Sequence, residues 1–181
     1  MNILLHMCCG PCSVYPVGCL QKQGHTLTGW FYNPNIHPYK EFRRRLETAG
    51  EFAAKAGLTL QVRDDYTLED FLQRALSAPE ERCFSCYTMR LNEAARTAKE
   101  GGFDAFTSTL LVSPYQKHEL IRQAGEAAEA EFDIPFLYQD FRPGWKEGVA
   151  QSIQMELYRQ PYCGCIFSER DRYWKPKKQG G

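Results

Sequence analysis

Apolar positions along the chain alternate between short runs and longer periodic stretches. Residues 2–6 (NILLH), 26–32 (TLTGWFY) and 58–62 are short apolar runs, rich in aromatic and branched side chains, of the kind that fill buried strands. Residues 104–108 and 135–139 read the same way, which predicts five strands. Between them lie stretches with helical spacing. Residues 39–56 show it most clearly, with Phe42, Leu46, Ala49, Phe52 and Ala53 on one face. Further helices are predicted over 13–23, 67–75, 86–99, 118–130 and 148–158. Thr67 and Asp70 suit an N-capping pair, and Gly101-Gly102 marks a stop. The NPNIHP segment at 33–38 reads as a turn. There is no repeat, low-complexity segment or linker.

Strands alternating with helices imply parallel βαβ units and an α/β fold, a three-layer doubly wound sheet of about five strands. Such folds bind ligands beyond the carboxyl ends of the strands. The loops CCGPC after the first strand and FRPGW after the last should therefore meet at that edge.

Composition narrows the function classes. The chain has 181 residues, 43% of them hydrophobic, which suits one globular domain over 1–181 with a basic, aromatic tail from about 168. Lys+Arg and Asp+Glu both number 22, so no global basic field marks a nucleic-acid binder, and any anionic partner needs a local patch. No apolar run approaches the roughly 18 residues of a membrane helix, and no basic leader segment precedes the first strand. The expected location is the cytoplasm, a reducing compartment, with no membrane partner.

Eight cysteines are many for a chain of this length. In a reducing compartment, clustered cysteines are metal ligands or redox centres more often than staples. They form three sets: Cys8-Cys9-Gly10-Pro11-Cys12, Cys83-Phe84-Ser85-Cys86 and Cys163-Gly164-Cys165. Cys19 stands alone in a helical stretch and reads as a small core residue. Cys8 and Cys9 with Cys83 and Cys86 give four thiolates, enough for a 4Fe-4S cluster or a structural zinc. Adjacent cysteines fit a compact tetrahedral zinc poorly and favour the cluster. Cys163 and Cys165 suit a redox pair, the other reading being two more metal ligands. Pro11 removes an amide donor from the first loop, which disfavours phosphate cradling by an adenylating or thiolating enzyme of the same fold. A zinc-stabilised RNA-binding module is the second rival.

The motifs LLHMCCGPCS (4–13), FYNPNIHP (31–38), DY (65–66), ERCFSCYTMRL (81–91), FTSTLLVSP (106–114), FLYQDFRPG (136–144) and LYRQPYCGCIFS (157–168) occur in this order across nearly the whole chain. Together they resemble the cobalamin-independent epoxyqueuosine reductases of the QueH type. The resemblance implies an adenine-nucleotide-hydrolase-like fold and an iron–sulfur oxidoreductase without cobalamin. It also implies a tRNA substrate carrying epoxyqueuosine at its wobble position, and an external electron donor. Carried onto this chain, it makes Cys8, Cys9, Cys83 and Cys86 the 4Fe-4S ligands and Cys163/Cys165 the redox-active pair. Cys12 would ligate a second, mononuclear iron or line the site.

Other residues are weighed against plainer roles. Asp140, at the end of the last predicted strand, is a candidate metal ligand or proton donor, and equally a partner of Arg142. Asp65 reads as a turn former. His6 reads as a core group behind the cysteines rather than a ligand. An enzyme acting on a base in RNA needs that base splayed out, so Tyr32, Tyr87 and Trp145 are candidate stacking residues and Arg142 a candidate substrate contact. Arg43-Arg44-Arg45 and the tail Arg170, Arg172, Tyr173, Trp174, Lys175, Lys177 and Lys178 are the two basic runs.

Overall fold

The computed structural model describes residues 1–175. Lys177 and Lys178 of the basic tail lie outside the described residues. Four strands form one parallel sheet: β1 (Asn2–His6), β2 (Thr26–Phe31), β3 (Thr59–Val62) and β4 (Ala105–Ser108), in the order β3-β2-β1-β4. β1 lies between two parallel neighbours and must be apolar on both faces. Ile3, Leu4 and Leu5 are fully buried accordingly.

The fifth predicted strand is a single bridge, Phe106 to Phe136. Phe106 N–H donates to the Pro135 carbonyl at 3.0 Å, and Leu137 N–H to the Phe106 carbonyl at 2.9 Å. The ladder then ends. Tyr138 N–H turns back to the Phe136 carbonyl (2.9 Å), and the Thr107 hydroxyl takes the Leu137 carbonyl (2.7 Å). Pro135 offers no N–H on the other side.

Among the described residues there are seven α-helices: α1 (Gly10–Lys22), α2 (Tyr39–Ala56), α3 (Leu68–Ser77), α4 (Arg82–Glu100), α5 (His118–Phe132), α6 (Trp145–Gln154) and α7 (Ile166–Tyr173). Among the described residues, no helix is long and apolar enough to cross a membrane. Thr67 precedes α3, but its side chain makes no cap hydrogen bond, so the predicted capping pair is not formed.

Two helix boundaries differ from the sequence expectation in ways that matter for the site. α4 starts at Arg82 rather than 86, which puts Cys83 and Cys86 three residues apart on one face of its first turn. α6 runs from Trp145 to Gln154 rather than from 148 to 158. Glu156, at φ 57°, ends it: Glu156 N–H donates to Ile153 and Leu157 N–H to Ser152, the pairing of a Schellman motif. The chain thus leaves the helix early, and residues 159–165 cross over the sheet edge.

The strand order reverses at β1. The chain runs outward through β2 and β3, then returns to β4 on the far side. The crevice at such a switch point is where open α/β sheets take ligands, and the loops after β1 and β4 open onto it.

Candidate active site

The first cysteine set sits where β1 passes into α1. Cys9 is the N-cap of α1, in extended backbone, and Pro11 lies in the first turn, where its missing N–H costs nothing. Cys8, Cys9 and Cys12 bring their sulfurs within 4.8 Å of one another, all buried. The Cys8 and Cys9 sulfurs are 3.8 Å apart. Thr109, just past β4, fixes Cys8 twice: its hydroxyl accepts from the Cys8 N–H (3.1 Å) and donates to the Cys8 sulfur (3.4 Å). Gln160 Nε2 donates to the sulfurs of Cys9 (2.9 Å) and Cys12 (3.3 Å). Three buried thiols this close share their protons unevenly. Hydrogen bonds from Cys12, Cys9 and Thr109 hold Cys8 well below the usual thiol range. Burial pushes Cys9 up, and donation toward Cys8 pushes Cys12 up.

The second set stands on α4. Burial raises the Cys86 thiol to about 11. The third set lies in the crossing segment between α6 and α7, clamped from beneath by Arg45. This guanidinium is 1% exposed. Its Nε bonds the Glu41 carboxylate at 2.6 Å, while Nη1 and Nη2 bond the carbonyls of Cys163 and Tyr162, both at 2.9 Å. His37 N–H donates to the Gly164 carbonyl (2.8 Å), and the Tyr162 hydroxyl to the His37 carbonyl (2.6 Å). Gly164 sits at φ 134°, a conformation that side-chain-bearing residues rarely take. The Cys163 and Cys165 sulfurs are 4.0 Å apart, as free thiols. A hydrogen bond from Cys165, with help from Ser168 and Arg90, lowers Cys163 to about 5, and the shared proton keeps Cys165 high.

All three sets open onto one cavity of about 720 Å³, walled by Cys8, Cys12, Cys83, Cys86, Cys163 and Cys165. Cys9 lies behind this wall, under Gln160. The donor set suits a thiophilic metal centre: closely spaced buried sulfurs with N–H and O–H donors aimed at them. Cys12, which shares the first loop with Cys8 and Cys9, lies with them in space and lines the cavity. Cys83 and Cys86 are outside that 4.8 Å group and face the cavity from α4. Cys19 is away from the cavity and accepts from Gln139 at 3.4 Å.

Arg90 escaped the sequence reading. It is buried one turn after Cys86, with Nε on the Cys86 carbonyl (3.2 Å) and no carboxylate partner among the described residues. The nearby thiols of Cys86, Cys8 and Cys163 favour its charge. The available signal was the i, i+4 spacing in CYTMR, which places a cation beside the CxxC face.

Of the candidate contacts, Tyr87 and Trp145 line the cavity. The Tyr87 hydroxyl donates to Gln116 at 2.6 Å. Tyr32 is not on this wall; it borders a separate depression with Phe84 and Arg74, with the Arg63 guanidinium 5.0 Å from its ring centre. Asp140 and Arg142 are also off the wall and bond each other at 2.8 and 2.6 Å, which holds the Asp140 carboxyl down at about 2. Asp65 pairs with Arg63 (2.7 Å). His6 bonds the Ser108 hydroxyl and the Tyr32 carbonyl, and burial, then Arg90, lowers it to about 4. It is a core group, as the sequence suggested. The Arg43–Arg45 run is no open basic patch: Arg43 faces Glu47 and Asp64, Arg44 packs on the Tyr158 ring, and Arg45 is buried.

Residues 3–171 match the family model described as Epoxyqueuosine reductase QueH. The chain belongs to this family. Epoxyqueuosine reductase QueH of Dehalococcoides mccartyi is 36% identical over 175 residues, covering 97% of this chain and 96% of that protein. The QueH of Haemophilus influenzae is 38% identical, covering 94% and 72%. That of Thermotoga maritima is 32% identical, covering 94% and 92%. Among solved structures, the U34-tRNA thiolase NcsA from Methanococcus maripaludis, with its 4Fe-4S cluster, superposes with a TM-score of 0.62 at 16% identity, covering 93% of this chain and 61% of that one. A predicted subunit of tRNA methyltransferase from Methanocaldococcus jannaschii gives 0.59 at 14%, covering 84% and 74%. At these identities the likeness is one of fold, a parallel sheet flanked by helices.

Proposed function

We propose that the protein is an epoxyqueuosine reductase that converts epoxyqueuosine at the wobble position of tRNA to queuosine. One observation carries this beyond family membership: three separated cysteine sets meet in a single cavity at the switch point of the sheet. In this reading Cys8, Cys9, Cys83 and Cys86 hold a 4Fe-4S cluster, and Cys12 is the thiol available to a second iron. A bound cluster supplies electrons one at a time.

The chain's own groups account for the rest. Removing the epoxide oxygen as water, leaving an alkene, consumes two electrons and two protons. Cys163 and Cys165 together release two electrons and two protons when their S–H bonds give way to one S–S bond. The two halves balance, and an external reductant must then restore the dithiol. Arg45 holds this pair against the cavity. Tyr87 and Trp145 bound the space that an extruded base would fill.

The test is anaerobic incubation of iron- and sulfide-loaded protein with epoxyqueuosine-bearing tRNA and a strong reductant, followed by nucleoside analysis. Queuosine is expected. No conversion by loaded protein overturns the reading, and a colourless, zinc-containing preparation that binds RNA unchanged points to a zinc-stabilised module instead. The Cys163→Ser/Cys165→Ser double variant should keep its metal and lose multiple turnover. Full turnover in that variant removes the relay role.

A further inference from the structure

Charge around the cavity is one-sided, although the chain as a whole is neutral. Five cations line the cavity (Arg82, Arg90, Lys117, Arg159 and Arg172) against one carboxylate, Asp171. Asp171 is already engaged by Arg82 at 3.3 Å and Arg170 at 2.7 Å. Lys117, Arg159 and Arg172 are exposed and have no carboxylate partner among the described residues. Elsewhere on the surface, Arg43, Arg63, Arg96, Arg122 and Arg142 pair with acids; Lys22, Lys40 and Lys146 have no carboxylate partner among the described residues but do not line the cavity. The three unpaired cations at the mouth come from three places, the N-cap of α5, the crossing segment and α7, and converge on one opening.

A shelf of aromatic surface adjoins them. Tyr115 is 84% exposed, and its ring meets Trp145 edge-on at 6.0 Å. Both line the cavity. A short turn orders the segment, with Tyr115 N–H donating to the Ser113 hydroxyl (3.3 Å) and Gln116 N–H to the Ser113 carbonyl (3.2 Å). A tyrosine this exposed contributes little to the core. Unpaired cations beside an open aromatic face form the pattern that binds single-stranded nucleic acid, with cations on phosphates and rings under bases.

We infer that the cavity mouth grips the RNA strand on either side of the inserted nucleotide. Lys117, Arg159 and Arg172 take flanking phosphates, and Tyr115, braced by Trp145, stacks on a neighbouring base. This rests on the reading that the substrate is a base within tRNA. It adds Tyr115 and Lys117, which the motifs do not supply, gives Arg159 and Arg172 a common role, and puts the contacts at the mouth instead of at Tyr32 or Arg142.

The test measures binding of a fluorescent anticodon stem–loop RNA to metal-loaded protein over a salt series. The Lys117→Gln/Arg159→Gln/Arg172→Gln variant should reduce the slope of log K against log salt by about 2, since each phosphate contact to a single strand contributes about 0.7. Tyr115→Ala should weaken binding about 5- to 150-fold with the slope unchanged, the range for one lost base–aromatic stack. Arg122→Gln, a paired cation on α5, should change neither. Equal visible spectra confirm equal metal loading. If wild-type protein converts tRNA but the triple variant keeps the wild-type slope, the mouth assignment falls and the function stands. If wild-type protein binds neither the stem–loop nor tRNA, the substrate reading falls first and takes this inference with it.

Discussion

Two buried guanidiniums show how residue-scale accounting separates structure from chemistry. Arg45 spends its donors on Glu41 and two carbonyls. Removing it leaves the largely buried Glu41 carboxylate without its counter-charge, held by the Tyr158 hydroxyl alone among the described residues, and loosens the Cys163 loop. Arg45→Met should therefore destabilise the fold by about 3–5 kcal/mol, the usual cost of breaking a buried pair from one side, as read by denaturant unfolding. Arg90 has one backbone bond and no acid beside it. Arg90→Met leaves no carboxylate stranded and should cost less than about 1 kcal/mol by the same argument. Its effect should appear in the metal centre. An added electron is stabilised by a nearby buried cation, so the variant's midpoint potential, read by spectroelectrochemical titration of the loaded protein, should move to more negative values. An unchanged potential would show that Arg90 only fills space.

At the scale of elements, the cysteines are placed by where helices begin and end. Gly10 opens α1, and a Cβ there would lie 2.6 Å from the Thr48 backbone oxygen on α2. Only glycine lets the two helices approach this closely. Gly10→Ala should destabilise the protein by about 1–3 kcal/mol, as overpacking does, and should lower metal content, because Cys9 and Cys12 flank the displaced backbone. Thermal unfolding and iron analysis of the same preparation check both parts. The helix boundaries also mark the limit of periodicity as a guide. The α4 expectation begins at residue 86, although Phe84, at helical spacing from Tyr87 and Leu91, already extends the pattern into the first turn. Glu156 ends α6 with a positive φ that glycine would have signalled and glutamate does not.

Across the whole molecule, the hydrophobic core runs along the whole sheet and the cysteines of the three sets occupy one edge of it. Ile3, Leu4, Leu5, Phe31 and Phe106 are fully buried around the sheet, and Cys8, Cys9 and Cys12 belong to the same buried cluster. Metal binding to the native chain should add stability by mass action. Metal-free protein is therefore expected to keep its far-ultraviolet helical spectrum and to melt at a lower temperature than the loaded form. Loss of the spectrum on chelation would mean that the metal is needed for the fold itself. Charge is unevenly divided. The total is zero, yet the cavity carries five cations to one acid.

The sequence by itself determined the alternation of strands and helices, the parallel sheet, and the grouping of seven cysteines into three sets. Apolar period and residue type are local properties, and the chain states them directly. Only the tertiary structure decided that the three sets share one cavity and that Asp140 lies off its wall. It also decided that the Arg43–Arg45 run is divided between surface and interior, and that Lys117, Arg159 and Arg172 meet at one mouth. These facts depend on where a strand ladder stops, where a helix ends early and which charges find partners. Such outcomes arise from contacts between residues tens of positions apart, and no window along the chain contains them.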